Sequence, residues 1–294
     1  MPFVGLPPER AHLFADVEPV RDIPVSDAAA WRLNPAHRGI YNKLELALDQ
    51  GVSAAPAGID PVGCGLAPEA AIFVRPIINL YGMGIGARAT TAAEGATAPG
   101  TFWCQRLSGD QVSTDCLVAD GAVRWFRHTR VAERAADGRP SHWAVGVEAP
   151  EVELVVSAWV ARHLAGYTGL ANLELIGGTL IEAHLRGSTG FFEFYGADFL
   201  RAWVALVDEG HWREPAPEGS GHVRSVFVDG PGPFRREGWP SPPSGVHVAA
   251  DLDGDGYPRA GRLAIVRGRA REAVEQAAAQ LEAHSSVLMD YPEG

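Results

Sequence analysis

Between Asn172 and Arg186 the chain reads Asn-Leu-Glu-Leu-Ile-Gly-Gly-Thr-Leu-Ile-Glu-Ala-His-Leu-Arg. Polar and apolar residues alternate on both sides of a Gly-Gly pair, which predicts two antiparallel strands with one apolar face. Asn172 and Glu174 share a face on the first arm, and Glu182, His184 and Arg186 share one on the second. Register decides whether the two polar faces coincide. A two-residue turn at Gly177-Gly178 sets Glu174 opposite Ile181 and separates the acids. A three-residue loop centred on Gly178 sets Glu174 opposite Glu182, Leu173 opposite Ala183 and Leu175 opposite Ile181. A slip of one residue turns a whole face over, so the apolar pattern selects the three-residue loop. Directly opposed carboxylates repel. A divalent cation held by both turns that repulsion into a site, and Arg186 on the same face favours this over charges facing water.

Bulk properties narrow the functions open to such a chain. Its 294 residues suffice for one large domain or two modest lobes, and 46% are hydrophobic, enough for a sizeable core. A formal charge of -11 argues against a phosphate-backbone binder, which needs a basic stripe, so no nucleic-acid partner is expected. One phosphate pocket needs only a few local cations. The N-terminus lacks the features of a signal peptide, and no apolar run is long enough to span a membrane. Cys64, Cys104 and Cys116 form no CxxC, which fits a reducing cytoplasm. Of the 25 cationic residues, Lys43 is the only lysine. An arginine-rich coding bias accounts for the others but not for one retained ammonium, a point charge suited to a phosphate oxygen.

Along the chain, residues 1–36 are Pro-rich and predict an extended arm with at most one short helix. Asn42 caps a helix from Lys43 to Leu48, ended by Gly51. A strand at 71–75 ends in Arg75, followed by a loop containing Gly82, Gly84 and Gly86 and then Arg88. Further strands are predicted at 102–107, 113–118, 122–129, 222–228 and 262–266. Helices are predicted at 151–165, 199–207 and 271–284, and a polar loop at 131–141. The glycines of the 82–86 loop permit positive φ and let backbone N–H groups converge on phosphate oxygens, although alone they also describe a flexible hairpin. Asp251, Asp253 and Asp255 imitate an EF-hand start, but Arg262 stands where Glu is needed, so a hairpin turn is expected. Arg124, Phe126 and His128 share a strand face that either binds an anion or is the solvated face of an edge strand.

Taken in order, these pieces resemble the ATP-grasp ligases. The correspondence runs through Asn42-Lys43, the turn at 51–56, Phe73-Val74-Arg75-Pro76, the lid Gly82-Met83-Gly84-Ile85-Gly86-Ala87-Arg88, the hinge Gln105-Arg106-Leu107-Ser108-Gly109, and Glu174, Glu182, His184 and Arg186. It covers about residue 40 to the C-terminal helix. The resemblance implies an α+β fold whose two lobes hold a nucleotide between them. It implies an N-terminal arm at 1–36, a lid-bearing lobe at 37–107 and a metal-binding lobe at 108–294. Lys43 and Arg75 would hold α- and β-phosphates, and Gly82, Gly84 and Gly86 would cover the β/γ end. Gln105 and the backbone at Leu107 would read adenine. Glu174 and Glu182 would hold Mg²⁺, and Arg186, with Arg88 from the lid, would steady the transferring phosphoryl. The implied reaction uses ATP to activate a small carboxylate as an acyl phosphate, which an amine then attacks.

Departures from the family pattern leave alternatives open. Arg75 replaces a lysine. His184 replaces an asparagine of the metal strands, so it contacts substrate or joins the metal set and tilts it toward Mn²⁺. The usual N-terminal substrate domain is reduced to about forty residues, so the carboxylate is small or a second copy of the chain completes its pocket. The rival readings are a degenerate nucleotide binder, a phosphotransferase acting on a hydroxyl, and a binding protein without an ATP site.

Overall fold

The computed structural model describes residues 2–188, 190–216, 219–228 and 233–289. Packing divides them into two compact units. The first contains residues up to 128, 148–188 and 197–215; the second contains 129–147, 189–196 and the remainder from 216. The lobe boundary expected at 107/108 falls within the first unit. Among the described residues no helix is long and apolar enough to cross a membrane.

The first unit opens with β1 (Phe3–Val4), a 3-10 segment (Pro8–Phe14), β2 (Ile23–Pro24) and α1 (Asp27–Leu33). This stretch is more ordered than its proline content suggests. β1 and β2 pair in parallel, and Phe3, Phe14, Ile23 and Val25 are buried. Ser26 caps α1 by accepting from the Ala29 N–H at 3.3 Å. The expected extended arm is therefore a packed segment, because its widely spaced apolar residues find partners far along the chain: Phe3 lies against Trp203.

A second 3-10 segment (Pro35–Tyr41) leads into α2 (Lys43–Asp49), whose cap Asn42 accepts from Leu44 and Glu45. Then come β3 (Ala54–Pro56), β4 (Ala71–Pro76), β5 (Arg88–Thr91) and β6 (Thr101–Gln105), an antiparallel sheet ordered β3-β6-β4-β5. The rest of the unit holds β7 (Gln111–Ala119), the first part of β8 (Ala122–Arg134), α3 (Pro150–His163), β10 (Gly169–Ile176), β11 (Thr179–His184) and most of α4 (Gly196–Glu209). Its strands run β11-β10-β7-β8, with β11 at the border. Val152, Val156, Trp159 and Val160 of α3 pack with Leu173, Leu175, Leu180 and Ala183 of the hairpin, so the apolar face expected for that hairpin lies in the main core. β8 is an interior strand. His128 is buried, its ring stacked on Phe126 and bonded to Thr114 and Glu153, so it stands on no solvated face, whereas Arg124 is exposed.

In the second unit the strands run β8-β9-β12-β14-β13, with β9 at Pro140–Val147, β12 at Gly221–Phe227, β13 at Val246–Ala250 and β14 at Arg262–Gly268. Val274, Ala277, Ala278 and Leu281 of α5 (Arg271–Met289) pack with Val226, Leu263, Ala264 and Val266 to form its core. β8 runs to Arg134 and β9 starts at Pro140, so the polar loop expected over 131–141 is only a short turn. The aspartates at 251–255 form a turn, in which Asp253 Oδ1 accepts from the N–H groups of Asp255 and Tyr257.

Candidate active site

The β10–β11 hairpin determines where the acids stand. Gly177 and Gly178 adopt φ of +56° and +81°, conformations open to glycine at little steric cost, and they form a two-residue turn. Ile176 faces Thr179 and Leu175 faces Leu180. A β-bulge then shifts the register between Leu175 and Glu174, so that Glu174 faces Glu182, Leu173 faces Ala183 and Asn172 faces His184. The acids are opposed, yet the expected three-residue loop and its pairing of Leu175 with Ile181 are corrected. The favoured turn and the apolar pattern are reconciled by one extra residue, Ile181, in the bulged strand. Its carbonyl accepts from Arg75 Nη2 at 2.8 Å.

Other elements bring their side chains to this polar face. Lys43, the first residue of α2, is 6% exposed and its ammonium is ion-paired with Glu182 Oε1. Glu182 Oε2 lies 3.3 Å from His184 Nε2. His184 Nδ1 lies 2.9 Å from Asp27 Oδ1, and Arg186 Nη2 donates to Asp27 Oδ2 at 2.7 Å. Glu174 Oε2 accepts from Gln111 Nε2 at 3.1 Å. Behind the acids, Asn172 Nδ2 donates to Ser113 Oγ and to Asp115 Oδ1, and Asp115 Oδ2 accepts from the Ser188 N–H. The edge strand is held by Gln50, whose side-chain amide donates to the Leu180 carbonyl at 2.9 Å and accepts from the Leu180 N–H at 2.8 Å.

The electrostatics are uneven. Burial and the neighbouring charge of Glu182 both raise the pKa of Glu174. Burial also works to raise Glu182, but the hydrogen bond from His184 and the charge of Lys43 outweigh it and hold that carboxyl well below the usual range. Asp27 is likewise depressed: burial opposes its ionisation, and Arg186 and His184 overcome it. Burial and Arg186 work against protonation of His184, but Asp27 and the bonds to Asp27 and Glu182 raise its pKa overall. Glu174 is thus the carboxylate least compensated by the cations present.

No protein-family model matches the sequence, nor does any curated protein. Solved structures do match. A phosphoribosylamine–glycine ligase from Thermotoga maritima superposes with a TM-score of 0.59 at 14% identity, covering 95% of this chain and 86% of that one. An L-amino acid ligase from Bacillus licheniformis gives 0.57 at 15%, covering 93% and 82%. A carboxyaminoimidazole ribonucleotide synthase from Aspergillus clavatus, complexed with ATP, gives 0.55 at 14%, covering 85% and 73%.

The chain has the ATP-grasp fold.

Within this fold the structure joins Lys43, Glu182, His184 and Arg186 through direct bonds, with Glu174 facing Glu182 and Arg75 bonded one residue away. Arg75 is buried at the end of β4, its guanidinium 5.3 Å from the Phe102 ring centre and its Nε without a hydrogen-bond partner. Gly82, Gly84 and Gly86 all have positive φ, and Asn79 braces the loop by donating to the Gly82 carbonyl and accepting from the Tyr81 N–H. Arg88 faces Val74 across the small sheet and reaches Glu94 at 3.9 Å and the Gly95 carbonyl at 3.4 Å. Its bonds are therefore to its own hairpin, not to the acids. Gln105 is exposed at the end of β6, and Leu107 is half-buried in the connection that follows. Sequence reasoning missed Asp27, Gln111 and Asp115. Asp27 occupies the first turn of a helix, where an acid ordinarily marks only the helix dipole. Gln111 and Asp115 alternate on β7 and meet Ile176 and Asn172 across the ladder, a signal available only once strand pairing is known.

Proposed function

We propose that the chain is an ATP-dependent ligase that activates a small carboxylate as an acyl phosphate, releases ADP, and joins the acyl group to an amine. The observation that carries this reading is the Lys43–Glu182–Glu174 arrangement. The chain's one lysine is buried against one of two carboxylates opposed on a bulged hairpin, with Arg75 and Arg186 beside them.

The donor set fits a divalent cation. Oxygens of Glu174 and Glu182 and a nitrogen of His184 lie within 4.8 Å of one another. Asp27 on Nδ1 orients the imidazole, the support that metal-binding histidines usually have, and Nε2, now 3.3 Å from Glu182 Oε2, would lose its proton to take a cation. Glu174, the least compensated of the carboxylates, supplies the charge reason. Bound there, Mg²⁺ or Mn²⁺ would neutralise phosphate oxygens. The remaining work falls to the chain. Lys43 and Arg75 hold the α- and β-phosphates, and Arg186, fixed by Asp27, aligns the transferring phosphoryl. The 82–86 loop screens the phosphates from water, and Gln105 and the Leu107 backbone bind adenine. Fixed charge of this kind stabilises the transition state without reorganising as the reaction proceeds.

The test is incubation of the chain with MgATP and a mixture of amino acids and small carboxylic acids, with products identified by mass spectrometry. The ligase reading expects ADP, phosphate and a new amide in equal amounts. A phosphorylated alcohol would replace it with a phosphotransferase, and ATP binding without ADP release with a degenerate binder. Glu182→Gln should retain measurable ATP binding and lose ADP formation by about 100-fold or more, the scale of removing one preorganised transition-state contact. Normal turnover in that variant would remove Glu182 from the site.

A further inference from the structure

A second cluster lies in the second unit, apart from the residues assigned above. His142 on β9 is fully buried, and its Nδ1 has no hydrogen-bond partner. Such a bare polar atom is costly unless something satisfies it. Nδ1 faces Glu275 Oε1, one turn into α5, at 3.6 Å, and Glu133 Oε1, on β8, at 3.9 Å. Both separations are too long for a hydrogen bond. They match the spacing of donors about 2.0–2.2 Å from one shared ion. The three donor atoms all lie within 4.8 Å of one another. The other nitrogen, Nε2, lies 3.2 Å from His222 Nδ1. When Nε2 donates there, Nδ1 presents a lone pair toward the two carboxylates, and a cation between them satisfies all three.

We propose that Glu133, His142 and Glu275 form a site for a divalent transition metal, Zn²⁺ being the best match to one imidazole and two carboxylates. Mg²⁺ is disfavoured because it seeks oxygen ligands. The two carboxylates are half-exposed, so a fourth position is open to water. The bound ion ties the first turn of α5 to β8 and β9.

A cation already stands at this place. Arg271 donates to the same two oxygens, Glu275 Oε1 and Glu133 Oε1, and Arg224 holds the other oxygen of Glu133 at 3.0 Å. The Arg271 guanidinium keeps the carboxylates in position and competes with the metal for them. Because Arg271 is half-exposed, it can swing into water. Removing it should therefore tighten metal binding, the opposite of what loss of a structural ion pair does.

The experiment is titration of the full chain with Zn²⁺ against a chromophoric chelator, without nucleotide. The background is Glu174→Gln/Glu182→Gln, so that the first cluster loses both of its opposed carboxylates. One equivalent of Zn²⁺ is expected. His142→Gln and Glu275→Gln should each weaken it at least tenfold, and Arg271→Gln should tighten it several-fold. Glu275 and Arg271 are exposed enough that their variants report even where His142→Gln fails to fold. A Zn²⁺ affinity left unchanged by Glu275→Gln, or no tighter in Arg271→Gln than in its parent, overturns the site.

Discussion

Lys43 is buried with its ammonium against Glu182, so its loss has two effects. Lys43→Ala should weaken ATP binding by roughly 1.5–3 kcal/mol, the worth of one charged hydrogen bond, which calorimetric titration reads directly. Unchanged affinity would make the lysine a chance survivor among arginines. The variant also leaves Glu182 short of a cation, so its stability should fall in parallel. Asp27 gives a second expectation. Asp27→Asn leaves the Arg186 guanidinium without its buried partner, at a cost of about 3 kcal/mol or more in denaturant unfolding. The folded pKa of Asp27 lies below its ordinary 3.8. Its contribution is therefore complete above that pH and is lost as pH falls through the folded value. The stability gap between parent and variant should narrow below pH 3.8; a gap that widened with acid would contradict the ion pair. Of these residues, Lys43 stood out in the sequence because it was unique. Asp27 could not, since nothing local separates an acid that serves a helix end from one that serves a distant histidine.

The hairpin shows where reading a pattern succeeds and where it stops. Alternation established which residues face the core, because a strand's faces follow from parity; the opposition of the acids was reached through a three-residue loop that the chain does not have. The bulge at Ile181 was not legible. Alternation and turn preference each implied a different loop, and only packing shows that both are kept. β9 and β13 went unpredicted for another reason: Ser141 and His142 look like loop residues, and β13 sits in a Pro-rich stretch. Gly177 carries a constraint of this element. A Cβ there would lie 2.3 Å from the Ser108 carbonyl oxygen, where the 106–110 connection passes the hairpin tip. At Gly178 a Cβ meets open space. Gly177→Ala should therefore cost more than about 2 kcal/mol, combining positive-φ strain with the clash, and Gly178→Ala only about 1–2 kcal/mol. Thermal unfolding of the two variants checks this, and equal shifts would rule out the close approach.

Over the whole chain, the segment that composition marks as an arm belongs to the folded body. Phe3 packs on Phe14 and Trp203, and the N–H groups of Val20 and Arg21 donate to Asp208 at 2.7 and 2.8 Å. Deleting residues 2–22 removes two buried aromatic side chains, each worth about 1.5–3 kcal/mol, so the unfolding midpoint should drop by roughly 10 °C. A midpoint that held would return the segment to an appendage. The ATP-grasp resemblance was recoverable from several weak motifs in order, whereas the docking of this segment rests on contacts nearly two hundred residues apart. One side chain has a consequence beyond the site. β11 is a border strand, and borders with free N–H and C=O groups recruit strands from other molecules. Gln50 occupies both groups of Leu180 as a neighbouring peptide would. With Arg75 on the Ile181 carbonyl next to it, this amide closes the edge of the hairpin that carries the acids, at the point where a foreign strand would otherwise dock and pull Glu174 and Glu182 out of register.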